Sequence, residues 1–422
     1  MILAAGRVRR RASGHNATRL PGEAWILIAA NAMAALGYGV VSPVLPAYAR
    51  TFGVGIGAVT FAVSVFSLMR LCFAPPSGML VQRLGERPIY VAGLLIVAVF
   101  TGACAFAQSY WQLLLFRAIS GIGSTMFFIS ALGLMIRISP VDARGRVAGL
   151  FATSFLIGSV GGPVVGSFTA GLGLSAPFLV YGLAVLITAI VVFYSLRGST
   201  LAAPAQHTHP AVTVRVALRH RAYRSALLSS FATGWSVWGL RIALVPLFVS
   251  DVLGRGPRMT GLALATFAIG NLAMALPSGY LSDRIGRRTL LIVGLSVCGV
   301  ATMWLGTSSS VPLFLVAAYL GGAASGMFAA PQQAAVADIL GGTARTGTAV
   351  ATFQMMADLG AIVGSVAVGE IAEHLGYGWG FAVSGIVLLA AAVGWLLAPE
   401  TQVAVERGLP GALAADSAPE VA

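Results

Sequence analysis

The chain has 422 residues, of which 58% are hydrophobic and only 9% are charged. Soluble globular proteins carry about 25% charged residues, so this composition excludes a soluble protein and indicates one embedded in a membrane. The formal net charge is +13, and all 26 positive residues are arginines. Where these charges lie along the chain decides whether they serve nucleic-acid binding or membrane topology.

Twelve apolar stretches are each long enough to cross a bilayer, which takes about 20 helical residues. In chain order they lie at 24–48, 57–81, 87–107, 111–136, 146–170, 176–196, 224–250, 259–282, 287–307, 311–336, 346–370 and 376–398. We number them spans 1 to 12. They predict an all-α integral membrane protein with twelve transmembrane helices.

The arginines cluster on one side of these spans. If the N-terminus is internal, 20 of the 26 arginines lie in inner loops or at inner span ends, three lie within spans, and Arg50, Arg255 and Arg258 lie outside. Cytoplasmic loops of membrane proteins carry such an excess of positive residues. The distribution predicts a multi-pass protein of the cell membrane with both termini in the cytoplasm, and it argues against nucleic acid as a partner.

The two halves of the chain repeat each other at a period of about 201 residues. The segment from Gly78 to Gly85 aligns with that from Gly279 to Gly286, and Met126 aligns with Met327. The repeat predicts two homologous six-helix bundles in one orientation, which rock about a central cavity to give alternating access. The predicted domains are a basic cytosolic tail at 1–23, bundles at 24–196 and 224–398, a cytosolic linker at 197–223, and a disordered cytosolic tail at 399–422.

Four ionisable side chains lie deep within spans: Arg70 in span 2, Arg117 in span 4, Arg241 in span 7 and Asp358 in span 11. An ionisable residue at membrane depth is a candidate functional residue. Asp358 lies near the middle of its span, and a carboxyl group in a low dielectric takes up a proton readily. We therefore interpret Asp358 as the proton site, tuned by an embedded arginine. The alternatives are a structural ion pair for Asp358, helix-end carbonyl partners for Arg70 and Arg241, and snorkelling for Arg117.

The loop between spans 8 and 9 combines glycines with charged residues at the ends of two helices. Gly286 permits a tight turn, and Asp283 can accept hydrogen bonds from the N-terminus of a neighbouring helix. The loop contains Gly279, Asp283, Arg284, Gly286, Arg287 and Arg288. It resembles the signature loop of the major facilitator superfamily, which latches the cytosolic side shut. By symmetry, Asp283 is expected to face the start of span 5 near Arg144 and Arg146, although a basic loop that only sets topology is compatible with the same residues.

The copy of this loop in the first half departs from the pattern. It keeps Gly78, Arg83 and Gly85 but has Gln82 in place of the aspartate. A neutral amide loses the interaction of a charge with a helix dipole, which is about 0.3–1 kcal/mol at exposed sites. We expect the latch on this side to be weaker.

Span 5 carries a ladder of glycines that bears on the direction of transport. Its members are Gly149, Gly158, Gly162, Pro163 and Gly166. Three of the glycines are four residues apart and form one smooth helix face for close packing, while the proline favours a kink. The ladder resembles the antiporter motif of drug:proton antiporters in the major facilitator superfamily, with Ser167 in place of the last glycine. The resemblance implies export, and generic packing of small residues is the alternative.

Arg117 is followed by Gly121 and Gly123, which resembles a span 4 pattern of this superfamily that is associated with proton coupling. Many drug:proton antiporters carry their acidic residue on span 1, whereas span 1 of this chain has no acidic residue. The candidates for a substrate cavity are polar or aromatic residues of the inward-facing spans: Asn31, Tyr38, Trp235, Trp238, Asn271, Tyr319 and Gln354. Such a pocket suits amphipathic or aromatic ligands, and one deep acid against three arginines favours neutral or anionic compounds over dications.

These features predict a secondary active exporter of small organic compounds, driven by proton antiport. The alternatives are an importer of a small metabolite such as a sugar or carboxylate, and a non-transporting membrane receptor or enzyme. No phosphate-binding loop or metal-binding motif occurs in the sequence, so no cofactor and no metal site are expected. The expected partners are a small-molecule substrate, protons and the lipid bilayer, and a monomer suffices for this architecture.

Overall fold

A computed structural model describes residues 22–138, 144–197, 217–340 and 347–401. Within these ranges the chain is almost entirely helical. We number its spanning helices α1 to α12 in the order of the predicted spans. The first half contains α1 (Gly22–Val41) with a short extension (Leu45–Arg50), α2 (Ile56–Leu84), α3 (Glu86–Cys104), α4 (Tyr110–Ile138), α5 (Arg144–Thr169) and α6 (Ala176–Leu196).

The second half begins with a segmented helix. In α7, the stretch Arg221–Thr233 passes into a π-helical stretch, Gly234–Leu240, and then into the short helices Arg241–Ala243 and Val245–Asp251. The remaining helices are α8 (Pro257–Ile285), α9 (Arg287–Thr307), α10 (Val311–Leu340), α11 (Gly347–Leu375) and α12 (Tyr377–Leu396).

Length and composition identify these helices as membrane spans. In the described ranges, ten segments are long and apolar enough to cross a membrane, and the count is eleven if the bent pair in α8 is one span. The bend is 47° and follows Ala275, where Pro277 interrupts the helix. The remaining predicted span coincides with α5, a helix of 26 residues. The all-α integral membrane fold predicted from the sequence is confirmed.

The packing of the helices reproduces the internal repeat. In the first half, α1 packs on α5, α2 on α4, and α3 on both α4 and α6. In the second half, α7 packs on α11, α8 on α10, and α9 on both α10 and α12. Each half therefore forms one six-helix bundle with the same internal arrangement.

The two bundles meet along two large symmetric contacts, α2 with α11 and α5 with α8, and along a smaller one between the short helices Leu45–Arg50 and Val245–Asp251. We call the side on which α1 begins the inner side, which the arginines predict to be cytosolic, and the opposite side the outer side. The two large contacts flank the central region, so residues of α2, α5, α8 and α11 are placed to respond when the bundles move.

The glycines of α5 bring it against the backbone of α1. A Cβ atom added to Gly158, Gly162 or Gly166 would collide with the carbonyl oxygen of Ala32, Leu36 or Val40, respectively. These carbonyls are also four residues apart, so one glycine faces each turn of α1. The predicted smooth face thus packs within the first bundle, and Pro163 lies inside a continuous helix.

Candidate functional site

Asp358 and Arg70 form an ion pair between the two bundles. Arg70 Nε of α2 lies 3.6 Å from Asp358 Oδ1 of α11, and the two side chains are 27% and 24% exposed. The guanidinium of Arg70 also lies 5.9 Å from the ring centre of Phe128. The only acid deep within a span therefore faces one of the three embedded arginines across the bundle interface.

Among the side chains that the structure describes on α2 and α11, this pair is the innermost of three polar contacts between the two helices. On the outer side, the Gly57 N–H donates to Glu373 Oε2 at 2.7 Å. Towards the membrane centre, the hydroxyls of Ser64 and Ser365 lie 2.5 Å apart. The residue numbers fall on α11 as they rise on α2, so the two helices run antiparallel and the contacts follow one register.

The burial of the interface changes at the ion pair. Ser64 and Ser365 are buried, whereas Phe73 on α2 and Gln354 on α11, one turn further inward, are exposed. Asp358 thus lies where the contact between the bundles passes from closed to open. Of the polar contacts between α2 and α11 described above, the Arg70–Asp358 pair lies nearest to the exposed inner part of the interface.

Arg117 lies inside the first bundle. Its side chain is buried, and its guanidinium lies 4.6 Å from the ring centre of Phe66. It borders a mainly apolar cavity of about 60 Å³, whose lining also includes the polar residues Ser42, Thr101, Ser120, Ser124 and Tyr181. A cavity of this size can hold water, so a few polar partners are available to this arginine inside the bundle.

Arg241 directly follows the π-helical stretch of α7, and its guanidinium lies over the ring of Phe267 in α8. All three embedded arginines therefore lie near an aromatic ring of their own bundle, and Arg70 also pairs with the acid of the other bundle. The proton-coupling roles of all four ionisable residues remain predictions.

The candidate cavity residues fall into two groups. Asn31 donates to Ser154 Oγ at 3.0 Å, and Trp235 donates through Nε1 to Ser384 Oγ at 2.9 Å, so both are buried within their own bundles. Trp238 is only partly buried and makes an edge contact with Phe155 of α5, with ring centres 6.5 Å apart. Trp238 is therefore the aromatic candidate that reaches the other bundle.

The other cavity candidates lie at the surface of their helices. Gln354 and Tyr319 are exposed, and Asn271 is partly buried on α8. The side chain of Tyr38 lies outside the described residues. The role of each in substrate binding stays a prediction.

A family model with the description Major Facilitator Superfamily matches residues 27–254 and again residues 226–418. The two matches overlap in α7 and together cover most of the chain. The chain belongs to the Major Facilitator Superfamily. It is therefore a transporter, and the resemblance predicted from the signature loop is confirmed.

Curated relatives in this superfamily include drug exporters. The tetracycline resistance protein of class E from Escherichia coli is 27% identical over 289 residues, which are 63% of this chain and 67% of that protein. The multi-drug resistance efflux pump PmrA from Streptococcus pneumoniae is 25% identical over 349 residues, 80% of this chain and 86% of the pump. The similarity to PmrA thus extends over both bundles.

Solved structures of the superfamily share the fold. A bacterial homologue of the human lysosomal transporter Spinster, in an inward-facing and occupied conformation, matches with a TM-score of 0.74 at 17% identity, over 89% of this chain and 95% of that chain. A D-xylose-proton symporter matches with a TM-score of 0.74 at 16% identity, over 90% and 98%. At these identities the likeness establishes the fold alone.

The superfamily's signature loop between α8 and α9 is tied to its own bundle. Gly286 has a φ of 91°, as the predicted tight turn requires. Arg287 forms an ion pair with Asp338 of α10. Glu400 accepts hydrogen bonds from the backbone N–H groups of Arg287 and Arg288 at 3.1 Å each, and so caps the start of α9.

The expected contact of Asp283 with the start of α5 stays a prediction, because the side chains of Arg144 and Arg146 lie outside the described residues. Asp283 and Arg284 are exposed, and Arg284 lies 4.4 Å from the ring centre of Tyr280. In the first-half copy, Gly85 has a φ of 85° and Arg83 is exposed. The side chain of Gln82 and the surroundings of Gly149 also lie outside the described residues.

Removing the Arg287 side chain is expected to destabilise the fold in a pH-dependent way. Burial raises the pKa of Asp338 above its ordinary value, and Arg287 opposes this rise. A raised carboxyl pKa adds stability at low pH that is lost as the pH rises through the folded-state pKa. We expect Arg287→Gln to destabilise the protein by about 1–3 kcal/mol at neutral pH and by less at mildly acidic pH, measured as the unfolding temperature in detergent.

Arg284→Gln is the matched control, because this neighbouring arginine of the same loop is exposed. It should leave the unfolding temperature nearly unchanged. Equal unfolding temperatures for Arg287→Gln and the native protein at neutral pH would contradict the role of the Arg287–Asp338 pair.

Proposed function

We propose that the protein exports small amphipathic organic compounds in exchange for protons, with Asp358 as the proton site. The observation that carries this proposal is the Arg70–Asp358 ion pair between the two bundles. An acid deep within the membrane is costly unless it is paired or protonated. Asp358 can be stabilised either by Arg70 or by a proton, and only the first of these ties the bundles together.

The coupling of proton movement to bundle movement follows from these two alternative ways of stabilising Asp358. In the arrangement of bundles seen in the structure, the charged carboxylate of Asp358 pairs with Arg70. This pair lies nearer to the inner side than the other polar contacts between α2 and α11 do. When the bundles separate at this contact, Arg70 moves away with the first bundle and Asp358 is stabilised by taking up a proton. Protons taken up on the outer side are then released on the inner side, which drives a substrate in the opposite direction.

Two findings support export over import. The glycine ladder of α5 resembles an antiporter motif, and its members Gly158, Gly162 and Gly166 lie on the contact between α5 and α1. The relatives include a tetracycline resistance protein and a multi-drug resistance efflux pump. A D-xylose-proton symporter shares the fold, so import of a metabolite is the alternative outcome of a transport assay.

We also propose the orientation of the protein in the membrane, its domain boundaries and the class of its substrates. Both termini lie in the cytoplasm of a cell-membrane protein that acts as a monomer, with the domain boundaries predicted from the sequence. Trp238 and Gln354 contribute to the binding surface between the bundles. One acid against three arginines within the spans favours neutral or anionic substrates over dications.

The test is transport into inside-out membrane vesicles that contain the protein, with a panel of fluorescent neutral, anionic and cationic lipophilic compounds. An exporter that exchanges for protons accumulates its substrates when the vesicle lumen is acidic, and a protonophore abolishes the accumulation. Vesicles without the protein are the control. Expulsion of a compound from the acidic lumen would indicate symport, and accumulation without a pH gradient would contradict proton coupling.

A further inference from the structure

We propose that Arg50, Asp251 and Tyr377 form an outer gate, a contact between the bundles that holds the transport path closed on the outer side and opens once in every cycle. Arg50 belongs to the short helix Leu45–Arg50 that extends α1, and Asp251 ends the last segment of α7. The assignment to the outer side rests on the orientation proposed above. The gate itself rests on contacts between the bundles that require neither a proton nor a substrate.

The ion pair of the outer gate is bidentate. Arg50 Nη1 lies 2.6 Å from Asp251 Oδ1, and Arg50 Nη2 lies 2.6 Å from Asp251 Oδ2. Two parallel hydrogen bonds between a guanidinium and a carboxylate give both strength and a fixed geometry. The Arg70–Asp358 pair is a single contact at 3.6 Å, so the outer gate is the closer ion pair between the bundles.

The internal repeat explains why these two residues meet. The short helices that carry them are equivalent in the two halves, beginning at Leu45 and Val245, and each has a proline in its first turn. Equivalent elements of two repeated bundles approach each other at the pseudo-two-fold axis. An arginine at the end of one helix and an aspartate at the end of the other therefore attract each other across this axis.

The carboxylate of the gate is held in place by its own bundle. The Ser250 hydroxyl donates to Asp251 Oδ1 at 2.6 Å, and the Tyr377 hydroxyl of α12 donates to the other carboxylate oxygen. The ring of Tyr377 packs edge-on against Phe248, with ring centres 6.0 Å apart. Asp251 is thus fixed within the second bundle, and Arg50 is the partner that leaves when the bundles separate.

A second carboxylate of the second bundle acts on the same edge. Glu373 of α11 accepts a hydrogen bond from the backbone N–H of Gly57, in the first turn of α2, where the helix dipole favours a negative charge. A Cβ atom on Gly57 would lie 2.5 Å from Glu370 Oε1 and 3.1 Å from Glu373 Oε2, so the glycine permits both carboxylates to approach. Asp251 and Glu373 of the second bundle therefore both accept hydrogen bonds from the first bundle at the outer edge.

The gate can open because it is in contact with water. The Arg50 and Asp251 side chains are 33% and 26% exposed, so both ions can be hydrated when they separate and neither is left in a dry interior. Exposure also lets salt weaken the pair. The outer gate thus biases the equilibrium between closed and open outer sides without locking it.

The experiment measures the distance between the bundles on the outer side in the full-length protein in lipid nanodiscs. Spin labels replace Trp111 and Leu313, exposed residues at the outer ends of α4 and α10, in a Cys72→Ser background that removes the exposed native cysteine. Double electron–electron resonance then gives the distance distribution. Arg50→Gln and Asp251→Asn are each expected to raise the ratio of open to closed outer side by roughly tenfold, which corresponds to the loss of about 1.4 kcal/mol.

Two further variants make the result specific. Arg255→Gln removes an exposed arginine of the same outer surface and should keep the native distribution, whereas the charge swap R50D/D251R should move the distribution back towards native. The proposal is overturned if both single variants keep the native distribution, or if Arg255→Gln opens the outer side as much as they do. The distances are measured without a pH gradient or substrate. The experiment therefore tests the outer gate even if the protein does not export compounds in exchange for protons.

Discussion

Asp358→Asn is expected to abolish transport driven by a pH gradient while leaving exchange of substrate across the membrane intact. An amide cannot take up or release a proton at physiological pH, so the variant cannot couple proton movement to the movement of the bundles. Asparagine keeps the size of the side chain and can accept a hydrogen bond from Arg70, so the fold is retained. We expect a loss of at least about 100-fold in gradient-driven accumulation, measured in proteoliposomes beside substrate counterflow, which needs no net proton movement.

Glu370→Gln provides the matched control for this variant. Glu370 lies on the same helix, α11, but at its outer end, where its side chain is 57% exposed and lies near His374. This variant should transport at the native rate. Gradient-driven transport by Asp358→Asn at the rate of the Glu370→Gln control would remove Asp358 from the coupling mechanism.

Gly162→Ala is expected to destabilise the first bundle strongly. A Cβ atom at this position would lie 2.6 Å from the Cα of Gly39 and even closer to the carbonyl oxygen of Leu36, both of which are backbone atoms of α1. Backbone atoms cannot rotate away, so α1 and α5 must move apart. Overpacking of this kind costs about 1–3 kcal/mol, and we expect a clearly lower unfolding temperature in detergent and a lower yield of folded protein.

The adjacent Gly161 gives a control that differs only in the face of the helix. A Cβ atom there would lie 4.0 Å from Leu36 Cδ1, which is an ordinary contact. Gly161→Ala should gain up to about 1 kcal/mol from the higher helix propensity of alanine. Equal unfolding temperatures for the two alanine variants would contradict the assignment of the glycine ladder to the contact between α1 and α5.

The general architecture could be predicted from the sequence because it depends on the composition of the chain and on the period of its internal repeat. The length of apolar stretches gives the spans, and the 201-residue repeat gives the two bundles. The glycine spacing in span 5 also predicted a closely packed face. Its partner, α1, could not be identified, because a smooth face does not specify which helix covers it.

Pairings between distant residues could not be predicted, because they depend on the rotation of each helix about its axis. The sequence left three arginines as candidate partners of Asp358, and only the contact of α2 with α11 selects Arg70. Asn31 and Trp235 are predicted to line the cavity because they are polar or aromatic residues of spans, and the structure shows that each also forms a hydrogen bond with a serine of its own bundle. Polarity alone does not tell which side of a helix faces the cavity.

The sequence carries a signal for the outer gate. Arg50 and Asp251 end equivalent segments of the repeat and carry opposite charges. The sequence also predicts a disordered tail from residue 399, whereas Glu400 caps the start of α9.

The direction of proton movement during transport tests the account most directly. Proteoliposomes that contain the native protein and a pH-sensitive dye in the lumen receive, from outside, a compound that the vesicle assay identifies as a substrate. The account predicts that the lumen becomes alkaline as substrate enters and protons leave, and that liposomes with Asp358→Asn behave like liposomes without protein. Acidification of the lumen, or an unchanged lumen pH while the native protein moves the compound, would contradict proton antiport through Asp358.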